Sequence, residues 1–182
     1  MNFLKSQKGA ALVLLLAILF GVLFGSYRSA KAEQRKVDEL FQAELRDVFD
    51  TRLDAAVNMG SIAKRYGVEH AVSISATLLD MRENMSEAAG SGVQEIRLAY
   101  YFSEPIYKNA QSLHDRLLAC ADITGADAQL VRSLMQELDS WSFVIAQNQA
   151  FTAAAATFDQ KVCNPLTTLF VEPYHIHGYR IT

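Results

Sequence analysis

The sequence predicts an all-α protein: a transmembrane helix at the N-terminus, then an antiparallel bundle of about four helices. Three observations predict it. Gly9 to Tyr27 is an uncharged apolar run bracketed by Lys8 and Arg28. Beyond it, apolar residues recur at steps of three and four, the period of one helix face. Proline occurs only at Pro105, Pro165 and Pro173 in 182 residues. Ala, Leu, Gln and Glu, all good helix formers, are plentiful.

The apolar run reads GAALVLLLAILFGVLFGSY. At the helical rise it covers roughly 28 Å, about one bilayer core. In hydrocarbon a single segment satisfies its own backbone groups only as a helix. The organisation that follows is a flank over 1–8, an anchor over 9–27, a helical bundle over 28–164 and a non-helical tail over 165–182. Two rival readings exist. As a cleaved signal peptide, Lys5 and Lys8 would be the basic region and Ala30-Lys31-Ala32 the small-x-small cut. Cleavage near Ala32 would release a soluble, exported binding module. Against it, the run is longer than an ordinary signal core, and Arg28 and Lys31 crowd the cut. As a pilin stem, the chain would need Glu where Leu14 stands. For orientation, Arg28, Lys31, Arg35 and Lys36 follow the anchor and only Lys5 and Lys8 precede it. The positive-inside rule then favours a body on the cytoplasmic side of the membrane.

After the anchor the elements follow in order. Val37, Phe41, Leu45, Val48, Ala56, Met59, Ala63 and Tyr66 trace one stripe, and nothing before Gly60 breaks its continuity with the anchor. Gly67 is the expected stop, because glycine takes the left-handed C-cap conformation. A second helix is expected from Glu69, with Val72, Ser75, Leu79, Arg82, Ser86 and Ala89 along its face and Leu78 and Met85 beside it. Ala89-Gly90-Ser91-Gly92 interrupts it, and Val93 to Phe102 resumes it. Ser103-Glu104-Pro105 reads as the start of a third helix with Ser103 as N-cap, ending near Cys120. Thr124-Gly125-Ala126 is a turn. The fourth helix carries Leu130, Leu134, Leu138, Trp141, Ile145, Asn148, Thr152 and Ala155 on one stripe over seven turns. It should end at Asn164-Pro165.

The stretch Phe49-Asp50-Thr51-Arg52-Leu53-Asp54-Ala55-Ala56-Val57-Asn58-Met59, closing on Ala63-Lys64-Arg65-Tyr66-Gly67, resembles the LemA family. Arg52, Asp54 and Asn58 match its Arg-x-Asp-Leu-Ile-Pro-Asn-Leu-Val pattern, and Val57 replaces its Pro. Gly25-Ser26-Tyr27 resembles the family's Tyr-Asn start, with Arg28 in place of Asn. Asp80-Met81-Arg82 is similar to its Glu-Ala-Arg. Phe151 and Phe158 fall where it has aromatic-Asn pairs, and Leu169-Phe170 is similar to its Leu-Phe-Gly. The resemblance implies a membrane protein with an N-terminal anchor and an antiparallel bundle, with no agreed enzymatic activity.

Candidate functional residues are few. Arg52 falls in the middle of the first apolar stripe, so its guanidinium needs a buried partner; Asp80, Glu137 and Asp139 are the carboxylates considered. Arg82 falls on the apolar face drawn for the second helix. These residues are expected to form a structural network that fixes helix register. The alternative for the arginines is an anion or peptide-carboxylate site inside the bundle. Asp54 and Asn58, four apart on the outward face of the first helix, either cap or pair locally or form a docking patch for a partner protein of unknown identity. His175-Ile176-His177 supplies two imidazoles, too few for a metal site, and no metal or cofactor is expected. The net charge of -3 leaves no basic footprint for nucleic acid. No nucleophile triad, phosphate loop or zinc-protease motif occurs, so the chain reads as a non-enzymatic scaffold or interaction module. Cys120 and Cys163, at the ends of the third and fourth helices, are too far apart to pair in a straight antiparallel bundle.

Overall fold

With no proline or glycine between Tyr27 and Met59, the apolar run and the first stripe continue as one helical rod with a single break. The computed structural model describes residues 7–162 and 171–176. They form α1 (Gln7–Glu44), α2 (Arg46–Arg65), α3 (Ala71–Ala88), α4 (Val93–Leu118), α5 (Gly125–Gln147) and α6 (Gln149–Val162), and no strand occurs among the described residues. Turns of a few residues join α2 to α3, α3 to α4 and α4 to α5, and each pair packs side by side. That is the antiparallel bundle. The half of the body nearest the apolar segment of α1 is built differently: the second half of α1 packs against α6 and the start of α4.

The break at Leu45 is slight. Leu45 N still bonds to Phe41 O and Phe49 N to Leu45 O, at 2.9 and 3.0 Å. Gly67 ends α2 as expected, with φ +62. Its N–H bonds to Lys64 O and that of Val68 to Ala63 O, the paired bonds of a Schellman stop.

Three helical assignments are corrected. The face drawn for α3 is rotated: Ser75, Leu78, Met81 and Ala88 are buried, whereas Val72, Leu79, Arg82, Ser86 and Ala89 are exposed. Two exposed apolar residues, Val72 and Leu79, pulled the wheel to the wrong side. Ser103 caps nothing, because α4 runs through Pro105. Ile96, Ala99, Tyr100, Ser103, Ile106, Ala110, Leu113 and Leu117 form one unbroken buried face across the proline, and that burial outweighs one lost backbone bond. The long fourth helix is two. It breaks at Asn148, whose Oδ1 accepts from Phe151 N at 2.9 Å and caps α6, while its Nδ2 donates to Glu44 Oε2 at 2.8 Å. Thr124 is the N-cap of α5, its Oγ1 accepting from Asp127 N at 3.2 Å. The expected stop at Asn164-Pro165 lies outside the described residues.

The core falls into two clusters. One joins Val37, Phe41 and Phe49 to Tyr100, Phe151 and Phe158, with Tyr174 of the tail. The other joins Leu53, Met59 and Leu78 to Ile106, Leu113, Val131 and Leu138. Gly60 lets α2 and α3 approach within the second cluster: a Cβ there would lie 2.6 Å from Ser75 Oγ. That hydroxyl is buried with no hydrogen-bond partner among the described residues. Ser75→Ala is therefore expected to be neutral or stabilising by up to about 1 kcal/mol. It should also soften Gly60→Ala, which alone costs about 1–3 kcal/mol by overpacking. Thermal melts of the two single variants and the double check this; equal losses for Gly60→Ala with and without Ser75→Ala would place the clash elsewhere.

Candidate functional site

Buried polar side chains mark the seam between the two clusters. On α2, Arg52 follows Phe49 of the first cluster and precedes Leu53 of the second; on α4, Ser103 lies between Tyr100 and Ile106; on α5, Ser142 lies between Leu138 and Ile145. Arg52 and Ser103 are both fully buried. Arg52 Nη1 donates to Ser103 Oγ, and its guanidinium carbon lies 5.9 Å from the centre of the Tyr107 ring, within cation–π range. Tyr107 OH donates to Asp139 Oδ1 at 2.9 Å. Ser142 Oγ donates to Leu138 O at 2.7 Å. Burial pushes the Arg52 guanidinium down to about 10, against the opposing pull of Tyr107 and Asp139. It therefore stays protonated at neutral pH, a buried cation at the centre of the body.

Of the three carboxylates considered for Arg52, Asp139 connects to it, through Tyr107, and is itself exposed. Asp80 is exposed on α3, where its backbone oxygen accepts from Asn84 Nδ2 at 2.7 Å. Glu137 accepts from Trp141 Nε1 at 3.3 Å. Arg82 is corrected as well: it is an exposed cation paired with Asp54 across α2 and α3. The ion pair joins one residue drawn as inward and one drawn as outward, because the α3 face was rotated. Asn58 is exposed one turn further along α2.

The Asp54–Arg82 pair stands at the mouth of a cleft of about 260 Å³ between α2, α3 and α4. Phe41, Phe49, Leu53 and Met85 supply apolar wall; Arg46, Asp50 and Glu95 supply the remaining charge. Glu95 organises the inner end. It is buried, its Oε2 accepts from Gln42 Nε2 at 2.9 Å and Gly90 N at 2.8 Å, and its Oε1 meets Arg46 Nε at 3.3 Å. One carboxylate thus ties the α3–α4 turn to both sides of the α1–α2 break. The sequence did carry a signal for it: Glu95 is the third residue of α4, where a glutamate reaches back to orphan N–H groups and favours the helix N-terminus. Asp50 is pushed above the ordinary carboxylate range, first by burial.

The tail holds a second unexpected cluster. Val171, Tyr174 and Ile176 are buried, so the described part of the tail is packed and not solvated. Asp159 accepts from Tyr174 N at 2.7 Å and His175 N at 3.1 Å, and Tyr174 OH reaches Asp38 Oδ1 at 2.6 Å. Burial pushes the Tyr174 phenol strongly upward, and Asp38 adds to it. His175 is exposed; His177 lies outside the described residues. Among the described residues no three of His, Cys, Asp and Glu gather around a metal-sized space. Cys120 is a free thiol. Its expected failure to pair with Cys163 turns on a residue outside the described set, as does the likeness at Leu169-Phe170. Comparison with family models, with curated proteins and with solved structures finds no match.

Proposed function

We propose that this chain is a membrane-anchored, non-enzymatic helical bundle of the LemA kind, which holds a partner protein at a bacterial inner membrane. One observation carries the reading. α1 is long and apolar enough to cross a bilayer, with a mean hydropathy of 2.4 over its most apolar window, and none of that window is covered by the body. A core helix of a soluble domain would be covered on at least one face. The same helix continues without interruption past Ala32, and Ala30 is buried with Val37 and Phe41 in the first cluster. Cleavage near Ala32 would cut a continuous helix and strip a core residue from the body. These facts favour retention of the anchor over release as an exported module. The basic residues after the anchor favour a cytoplasmic body. The docking face in this reading is the rim formed by Asp54, Asn58 and Arg82, beside the cleft.

The expected result is full-length protein in the membrane fraction after salt and carbonate washes, released only by detergent. Soluble protein beginning at Glu33 would establish the exported module instead. A photo-crosslinking residue at Asn58 in intact membranes should give a discrete adduct, and the same residue at Ser133, on the outward side of α5, should not.

A further inference from the structure

Where α1 leaves its apolar segment, it forms one wall of a groove of about 690 Å³ whose other wall is the turn between α3 and α4. Arg28, Lys31, Arg35 and Asp38 face Gly90 and Gly92 across it. Steps of three and four set the three cations on one side of α1. Arg28 and Arg35 are exposed and enter no ion pair among the described residues. Lys31 Nζ donates to Gln34 Oε1 at 2.9 Å, and its charge acts on Asp38, two turns on, without forming an ion pair with it. Glu33, the nearest acid in sequence, is turned to Lys36 and Lys161. Asp38 is the one carboxylate lining the groove, and its Oδ1 is taken by Tyr174 OH.

The turn is seated against α1 at the Asp38 end. Gly92 has φ +64, and a Cβ there would lie 3.2 Å from Asp38 Oδ2. The other end opens towards Tyr27, the last residue of the apolar run. Counted at about 1.5 Å per residue, Arg28 to Arg35 occupy roughly the first 12 Å beyond the hydrocarbon. The headgroup layer fills about the first 5–8 Å of that distance. Arg28 and Lys31 therefore lie within it, and the Arg35 backbone lies a few Å beyond it, its side chain tilted back towards the N-terminus and so towards the layer.

We propose that this groove binds the phosphate of an anionic phospholipid from the leaflet around α1, clamped between Arg28, Lys31 and Arg35. The inference rests on the membrane-anchor reading. Free inorganic phosphate shares the chemistry, so the test separates the two sources. Full-length protein in detergent is titrated with phosphatidylglycerol, phosphatidylcholine or inorganic phosphate and examined by native mass spectrometry. Each basic residue near a headgroup contributes about fivefold in affinity. The triple variant Arg28→Gln/Lys31→Gln/Arg35→Gln is then expected to hold phosphatidylglycerol about a hundredfold more weakly than the parent, with phosphatidylcholine binding unchanged. Hydrogen exchange on the parent adds a readout independent of the variant: phosphatidylglycerol should slow exchange across residues 90–92 and phosphatidylcholine should not. Equal retention by parent and variant, or equal slowing by both lipids, overturns the proposal. Slowing by inorganic phosphate alone assigns the groove to free phosphate and overturns the lipid source. A protein that needs no detergent at all overturns the anchor reading as well; one that needs detergent but ignores lipid charge overturns this inference only.

Discussion

Arg52→Ala is expected to lower the stability of the body by about 3–5 kcal/mol. The substitution removes a fully buried side chain from the seam between the two core clusters. It takes away the donor to Ser103 and the cation over Tyr107, and it leaves a cavity where the guanidinium was. Arg52→Met should recover most of that loss. Its side chain refills much of the volume, and Asp139, linked to Arg52 through Tyr107, is exposed and keeps its hydration. Replacing a buried cation by a well-packed apolar group is often neutral or better. A thermal melt of the detergent-extracted full chain measures both. If Arg52→Ala melts with the parent, the polar seam contributes nothing to the body. If Arg52→Met is as damaging as Ala, the charge itself is required, and the residue belongs to a site rather than to the scaffold.

Phe151→Ala is expected to cost a similar amount, about 3–5 kcal/mol. Phe151 is one of the fully buried residues that fasten α6 to the rest, with Ala155, Phe158 and Val162. Its ring lies 5.9 Å from that of Phe41 on α1 and 5.8 Å from that of Tyr100 on α4, centre to centre. Phe49 completes the group at 5.9 Å from Phe41 and 5.2 Å from Tyr100. Four rings from four helices thus share one cluster, and such pairs add to the area they bury. Phe143→Ala is the control. That phenylalanine is 66% exposed on α5, so its loss should stay within about 0.5 kcal/mol. Equal melting of the two variants would mean that α6 does not pack on α1, and that the half of the body nearest the apolar segment is built some other way.

The residues missed or misplaced share a physical cause. A helical wheel sees only one chain segment, and it assigns the apolar side to the core. That worked for the end of α1 and for α2, where the stripe through Phe41, Leu45, Val48, Met59 and Ala63 is buried and Arg52 sits within it. It failed for α3, because Val72 and Leu79 are apolar and exposed, and they drew Arg82, Ser86 and Ala89 onto the face with them. The break at Asn148 was hidden because asparagine fits a helical stripe by position. Its role as a cap appears only once Phe151 N–H needs an acceptor and Glu44 stands within reach.

The sequence by itself determined the class, the apolar N-terminal helix, the turn at Gly67 and the inward position of Arg52. Each follows from local chemistry: transfer of an uncharged run, the 3.6-residue period, or the conformational freedom of one glycine. Only the tertiary structure decided which residues answer Arg52, which side of α3 is buried, that α4 passes through Pro105, and that the tail packs through Tyr174. Those outcomes depend on groups brought together from different helices, such as Arg52 with Ser103, 51 positions apart, and Asp38 with Tyr174, 136 apart. Pairings of that kind are settled by which buried surfaces and hydrogen bonds can be satisfied together, and no local pattern encodes them.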